Sequence, residues 1–255
     1  MRTLGVDLAS QPANTAICAI SWSRTKRPLV EWIRKGIDDD ALLGEMVDFE
    51  KVGVDAPLGW PQPFVRGIQS HAKGKPWPRL RGSTEEQTRA LRMRATDAAV
   101  ARDVGKWPLS VSADTLGVVA FRLARIQDAL AGRGEAVDRS GRGTLCEVYP
   151  GAALTAWGLA GRSYKGEAGA DRRKLILDRL RRTSGIRLAR RADSRLARED
   201  DDCLDALLCA MIARAAATGR TTLPGTAEEK ALASSEGWIH VPTCNLDELE
   251  GPGEA

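Results

Sequence analysis

Two segments of the same form, Gly5-Val6-Asp7-Leu8 and Gly53-Val54-Asp55-Ala56, constrain this chain more than any other feature. Each is a short apolar run of the kind that makes a buried strand, and each closes on an aspartate. Taking a bare carboxylate out of water is costly unless a partner meets it. A third acid, Glu147, lies in the strand-like stretch Thr144–Val148, ahead of Tyr149-Pro150-Gly151. Asp202 and Asp205 stand three apart in a strongly apolar helical segment, so they project from one side of it. These strands carry no comparable set of basic residues, which makes a cation the natural partner for the acids.

The remaining segments give an order of elements. Thr3–Leu8, Thr15–Trp22 and Pro28–Arg34 read as three strands of an antiparallel meander, and Asp38–Val47 as a short helix with acids at its start. Val52–Asp55 is a fourth strand, stopped by Ala56-Pro57. Residues 61–82, rich in Pro, Gly, Trp and basic side chains, read as irregular; Thr84–Val104 and Ala113–Ala131 read as helices. After the fifth strand, helices are expected near 151–160 and 170–183, and then, past a polar basic segment, over Asp201–Thr218. In that last helix Leu204, Leu207, Leu208, Met211 and Ile212 repeat at helical spacing. Gly237–Pro242 suits a short edge strand.

Three strands, a helix, a fourth strand, a fifth strand and a terminal helix is the order of a ribonuclease-H-like sheet. The expectation is an α/β protein with a five-stranded mixed sheet flanked by helices and a helical insertion between strands four and five, at about 61–140. A single domain over 1–246 and an acidic, disordered tail over 247–255 complete it.

Composition narrows the chemistry. At 255 residues the chain can bury one substantial core, and it has no apolar run long enough to span a membrane. The N-terminus lacks the long apolar stretch of a secretory signal, so a cytoplasmic protein is expected. Five scattered cysteines without a C-x-x-C spacing disfavour a disulfide framework or a zinc knuckle. There are only two histidines, His71 and His240, so histidine triads and histidine-rich metal sites have almost nothing to draw on. Chemistry must rest on carboxylates, lysine, hydroxyls or a cofactor. The net charge of +4 is concentrated: Arg162 to Arg198 holds 13 Lys or Arg against four acids, as a polyanion-binding surface or an arginine-rich composition would.

Carboxylate oxygens are hard ligands suited to Mg²⁺ or Mn²⁺. Two such ions about 4 Å apart activate water on one side of a phosphodiester and stabilise the leaving oxygen on the other, with no histidine required. Each acid also has a bland reading. Asp7 suits a strand-end cap, Asp55 a turn-shaping role, Glu147 an ion pair with an arginine of the basic stretch, and Asp202 a helix-dipole partner.

The segments GVDLA (5–9), VGVDAPLGWP (52–61), RMRATD (92–97), EVYPGAAL (147–154), SYKG (163–166), DCLDALLCAMIAR (202–214) and EGWIHVP (236–242) together resemble the family called domain of unknown function 429, described as predicted nucleases of the ribonuclease H fold. The last helix also resembles the terminal helix of Holliday-junction resolvases, in which two aspartates three apart bind metal. The resemblance implies Asp7, Asp55, Asp202 and Asp205 as catalytic metal ligands, Glu147 as a fifth catalytic acid, and Mg²⁺ or Mn²⁺ as cofactor. It implies a metal-dependent nuclease acting on DNA or RNA, and it admits a homodimer.

Arg94, Thr96 and Asp97 match the family's R-x-T-D segment and are candidates for substrate phosphate, against an ordinary Arg94–Asp97 ion pair. Lys165 is a candidate phosphate-binding cation, against a solvated loop lysine. The loop Lys73–Arg79 mixes cations with Trp77, as single-strand binders do. The alternative function is a non-catalytic nucleic-acid-binding protein that keeps the fold. A phosphotransferase of the actin or sugar-kinase sort is disfavoured, because the chain has room for one copy of the core and lacks the glycine-rich phosphate loops.

Overall fold

The residues of β1 (Arg2–Asp7) alternate between two apolar environments, which makes it the central strand. The computed structural model describes residues 1–159 and 163–250. Leu4 and Val6 point into one core layer, shared with Ile17, Val52 and Val54. Thr3, Gly5 and Asp7 point the other way. On one flank β2 (Ala16–Ser21) pairs antiparallel with β1, and β3 (Leu29–Lys35) antiparallel with β2. On the other, β4 (Lys51–Val54), β5 (Leu145–Val148) and, past two more helical regions, the strand Ile239–His240 run parallel to β1. That strand is β7, and Arg187–Leu188, parallel to the start of β3, is β6. The order is β6-β3-β2-β1-β4-β5-β7. The mixed sheet therefore has seven strands among the described residues, where five were expected. The edge strand expected within Gly237–Pro242 is β7, which joins this sheet beside β5, and β6 is the strand without a sequence signal, because its two residues are too few to show an alternation.

Helices cover both faces. The layer beneath Leu4 and Val6 is closed by α1 (Asp39–Met46), through Leu42, Leu43 and Met46, and by α5 (Leu116–Gly132), through Leu123, Ile126 and Leu130. α5 is thus part of the main core. The opposite face carries α6 (Pro150–Ala156), α7 (Ala170–Thr183), α8 (Arg191–Glu199) and, across the centre of the sheet, α9 (Asp201–Ala217).

α9 lies unusually close to the strands. A Cβ on Gly5 would stand 2.0 Å from the Ala206 carbonyl oxygen and 2.2 Å from the Ala210 nitrogen, and one on Gly53 would stand 2.6 Å from the Cys209 carbonyl. Glycine is required at Gly5 because the helix backbone itself occupies the side-chain space. The contact is pinned by Thr3, whose Oγ1 donates to the Ala210 carbonyl at 2.9 Å and accepts from Trp22 Nε1 at 2.9 Å. With polar groups satisfied inward, the helix is buried almost all round from Cys203 to Ala215.

Several local expectations are corrected. The stretch 61–82 is not wholly irregular: α2 (Gln62–Ala72) occupies its first half, and its prolines lie in the first turn, where a missing N–H costs nothing. The helix expected over Thr84–Val104 is two helices, α3 (Thr84–Arg92) and α4 (Ala95–Val104), because Met93 and Arg94 are extended. The polar basic segment contains α8, held to β3 by Asp193, whose carboxylate accepts from the Ile33 N–H at 3.1 Å. A further helix, α10 (Ala227–Glu236), starts on a Thr226/Glu229 capping box. Leu246–Glu250, where the disordered tail was expected to open at Asp247, is a 3₁₀ turn whose Leu246 and Leu249 join the α9 core, and residues 251–255 lie outside the described residues.

His240 ties the β7 edge down. Its Nε2 donates to the Ser140 carbonyl at 3.1 Å, which leaves Nδ1 to accept from the Thr221 hydroxyl at 2.7 Å. Burial pushes this imidazole down to about 4. The unfolded chain takes up that proton first as pH falls, so the group's contribution is complete above the ordinary value and is lost as pH drops from about 6.5 toward 4. Urea unfolding of the wild type should lose up to about 1.4 kcal/mol per pH unit across that window from this group. His240→Gln should flatten that slope, and an unchanged slope would exclude the buried neutral imidazole as its source.

Gly5 and Gly44 provide a contrast in the same assay. Gly44 is exposed on α1, and a Cβ added there would meet nothing within 4 Å, so Gly44→Ala should stabilise by about 1 kcal/mol through helix propensity. Gly5→Ala must push α9 off the sheet and should destabilise by about 3 kcal/mol or more. Equal midpoints for the two variants would show that the close helix approach does not bear on stability.

Candidate metal centre

Asp7 is the last residue of β1, Asp55 follows directly after β4, and Asp205 lies on the second turn of α9. Asp55 is placed by its own N–H, which donates to the Val6 carbonyl at 2.9 Å and so extends the β1–β4 pairing by one residue. Strand parity does the rest. Thr3, Gly5 and Asp7 share the α9 face, as do Gly53 and Asp55, and the glycines let α9 descend until Asp205 reaches both strand ends. One carboxylate oxygen from each of Asp7, Asp55 and Asp205 lies within 4.8 Å of the other two. Asp205 is buried; Asp7 and Asp55 are partly open.

Asp205 is held from behind by the loop between α6 and α7. The Tyr164 hydroxyl donates to its Oδ1 at 2.8 Å, and Lys165 Nζ makes a short ion pair with its Oδ2. Lys165 also lies 3.6 Å from Asp201. The loop is fixed by Arg173, a buried arginine on the apolar face of α7. Its guanidinium donates to the Tyr164 and Gly166 carbonyls, both at 2.6 Å, and to those of Arg198 and Glu199 at 2.9 and 2.8 Å.

Charge in the cluster is under-compensated. Burial and then the neighbouring Asp205 and Asp55 push the Asp7 carboxyl well above the usual range. Burial and Asp205 raise Asp55 to about 7, with Lys165 opposing. Burial raises Asp205 too, moderated by Lys165 and Tyr164. Burial disfavours the charge of Lys165, yet Asp205, Asp7 and Asp55 together hold its ammonium above the ordinary value. Three carboxylates thus share one firmly placed ammonium. All ligand atoms are hard oxygens arriving from three different elements, a donor set that fits Mg²⁺ or Mn²⁺ and lacks the sulfur and imidazole that would favour zinc or copper.

The other candidate residues lie elsewhere. Asp202 is turned to Lys35 at the end of β3, 2.8 Å away, and Lys35 also pairs with Asp200 at 2.5 Å. Asp200 caps α9 by accepting from the Cys203 N–H at 3.1 Å. Glu147 is on the opposite face of the sheet from the cluster: Cys146 and Val148 touch Cys209 and Ile212 of α9, so Glu147, like Leu145, points away from that helix. There it meets Arg94, with guanidinium contacts of 2.7 and 2.8 Å, and the Leu58 N–H at 2.9 Å. Asp97 accepts from the same guanidinium at 2.9 Å and from the Arg94 N–H at 2.8 Å. Thr96 Oγ1 accepts from the Ile239 N–H at 2.7 Å, tying α4 to β7. Arg94, Thr96, Asp97 and Glu147 are all buried, with their polar atoms engaged by one another or by backbone, so none of the four presents a free group to substrate phosphate. Trp77, from the Lys73–Arg79 loop, folds back over Gly67 of α2.

Sequence reasoning passed over Tyr164, Arg173 and Lys35. Arg173 did carry a signal: it stands in register with Ile176, Leu177 and Leu180 on the buried stripe of α7, where an arginine needs several carbonyl partners.

The fold and this site define a class: a mixed α/β protein with a carboxylate cluster at the carboxyl edge of its sheet. The chain belongs to the family DUF429, whose members are described as proteins of unknown function; the family model matches residues 5–229, from β1 into α10. No match was found among curated proteins or among solved structures. No helix among the described residues is long and apolar enough to cross a membrane.

The Arg94 network has a distinct signature. Arg94→Met would leave Glu147 and Asp97 buried without their cation and should destabilise by about 3–5 kcal/mol in chemical denaturation. A variant as stable as the wild type would mean that Arg94 is not a structural ion.

Proposed function

We propose that the protein is a metal-dependent nuclease of the ribonuclease-H-like kind, hydrolysing phosphodiester bonds in nucleic acid with Mg²⁺ or Mn²⁺. The observation that carries this reading is the meeting of Asp7, Asp55 and Asp205, far apart in sequence, at one point. The central order β3-β2-β1-β4-β5, antiparallel through β1 and parallel beyond it, supports the fold half of the reading.

In this reading Asp7, Asp55 and Asp205 are the ligands, and Asp202, committed to Lys35, serves the start of α9. A bound divalent ion supplies polarisation of the phosphate and a water acidic enough to attack near neutral pH. The chain's own groups prepare that chemistry. Tyr164 and Lys165 fix the rotamer of Asp205, and Arg173 fixes the loop that carries them. The Lys165 ammonium, on a half-exposed side chain, lies where it can neutralise a phosphate oxygen as well as Asp205. No histidine takes part: His240 is buried at β7, and His71 lies on α2 against Trp77. A polyanionic partner is supported by the outer surface of α7 and β6, where Arg27, Arg181, Arg182 and Arg187 line one groove. Among the described residues its lining holds one acid, Asp178, which lies 3.7 Å from Arg198. That groove is at the opposite end of β3 from Lys35, so it would meet nucleic acid away from the scissile bond.

The test combines ion uptake with cleavage. Calorimetry should show Mn²⁺ binding to the wild type, and saturation at 100 times the dissociation constant should add about 2.7 kcal/mol to stability. Asp205→Asn should abolish both effects. With Mn²⁺ and a panel of labelled branched, single-stranded and duplex nucleic acids, the wild type should cleave at least one. Asp205→Asn should be slower by about a hundredfold or more, the scale of losing a group that stabilises developing charge. Cleavage retained by that variant would refute the assignment. A wild type that binds nucleic acid but takes up no ion would favour the non-catalytic binding protein.

A further inference from the structure

A cavity of about 180 Å³ opens beside the acid cluster, at the carboxyl ends of β4 and β5 and against Ile239 of β7. Asp55 is part of its wall, so the cavity and the cluster are continuous. The Tyr149 ring, Pro57, Pro108, Leu109 and Leu116 form its sides, and the Arg94–Glu147 pair, already matched in charge, forms part of its floor. Ligands of open α/β sheets bind at this edge, outside the carboxyl ends of the strands.

Three features indicate what fits. The volume is close to the roughly 150 Å³ that suffices for one six-membered aromatic ring, and is well below the 300 Å³ or more of a site for a larger organic ligand. Two prolines and a tyrosine ring are stiff, flat walls, suited to a planar group. In the cavity wall, Leu109 is 59% exposed although it is large and apolar. Ammonium groups stand over both parts of the site: Lys165 at Asp205, and Lys106 at 5.2 Å from the centre of the Tyr149 ring. A ring held in the cavity would therefore leave an attached phosphate toward Asp55, on which the charges of both lysines act.

We infer that the cavity is a base subsite, which receives one unstacked pyrimidine base of a strand whose phosphodiester lies at Asp7, Asp55 and Asp205. This rests on the nuclease reading and adds the form of the substrate. A base reaches such a pocket only after leaving its stack and its pairing partner, so the preferred substrates are single strands, bulges and frayed ends, and an intact duplex is a poor one.

Calorimetry of the full chain with uridine monophosphate and with ribose 5-phosphate, both in Mn²⁺, tests it. The base should add about tenfold or more to affinity, the scale of one aromatic stack. Leu116→Phe, which fills the cavity, should bring uridine monophosphate down toward ribose 5-phosphate while leaving the sugar phosphate and Mn²⁺ uptake unchanged. Leu109→Phe, at an exposed position the fold tolerates, is the second variant and should act in the same direction. Equal affinity for the two ligands in the wild type, or undiminished uridine monophosphate binding in both variants, overturns the base subsite. If Mn²⁺ is taken up normally in that case, the nuclease reading stands without it; failure of Mn²⁺ uptake in the wild type strikes the nuclease reading itself.

Discussion

The contact between the backbone of α9 and the backbone of β1 and β4 is the constraint on which the rest of this structure depends. Gly5 and Gly53 remove the side chains that would hold a helix at its usual distance, and Thr3 fixes the height with one hydrogen bond to the Ala210 carbonyl. The closeness serves more than packing. Asp205 has a short side chain, and it reaches the ends of two strands only because the helix axis is lowered. A bulkier residue at Gly5 would separate the acids as surely as it would loosen the core.

The same lowering explains why the loop carrying Tyr164 and Lys165 is so heavily tied. With α9 sunk into the sheet, Asp205 is buried, and a buried carboxylate needs either donors or a cation. Tyr164 and Lys165 supply the donors from one side, and Arg173 spends its whole guanidinium on four carbonyls to keep them there. On the other side, the charges of Lys165 and Lys106 act on Asp55 but do not offset its burial and the repulsion of Asp205. The site is rigid where it meets the core and electrostatically incomplete where it meets solvent.

Much of this was legible in the chain. The paired Gly-Val-Asp motifs encode both the strand ends and, through their glycines, the face on which the helix must lie. The apolar spacing from Leu204 to Ile212 encodes the helix. What could not be read was parity across strands. Glu147 looks like Asp7 and Asp55 in isolation, an acid near the end of an apolar strand. It is in register with Val54, and so on the other face, only because β5 pairs with β4 as it does. Side-chain alternation makes a single-residue difference in register decisive. Asp202 failed to join for a different reason: it competes for Lys35, whose position at the end of β3 is a tertiary fact. The helices α2, α8 and α10 were obscured by composition, since prolines, arginines or small polar residues masked helices whose caps and first turns are nonetheless well formed.

The molecule thus contains two acid groupings on opposite faces of one sheet, and they differ in how fully their charge is compensated. Around Arg94, two carboxylates share a guanidinium that satisfies both, and backbone N–H groups of Leu58 and Arg94 take up remaining lone pairs. Such a network orders α4 against β5 and leaves no demand for a further ion. Around Asp205, three carboxylates have one ammonium, Lys165, paired directly with the cluster, and burial together with mutual repulsion raises Asp7 and Asp55. A grouping that needs only to hold a fold would settle into the first arrangement, because an uncompensated charge in a partly buried place is a standing loss of stability. Under the proposed function, the strongly perturbed acids at the open edge of the sheet, next to a cavity, are where an external charge would be accommodated.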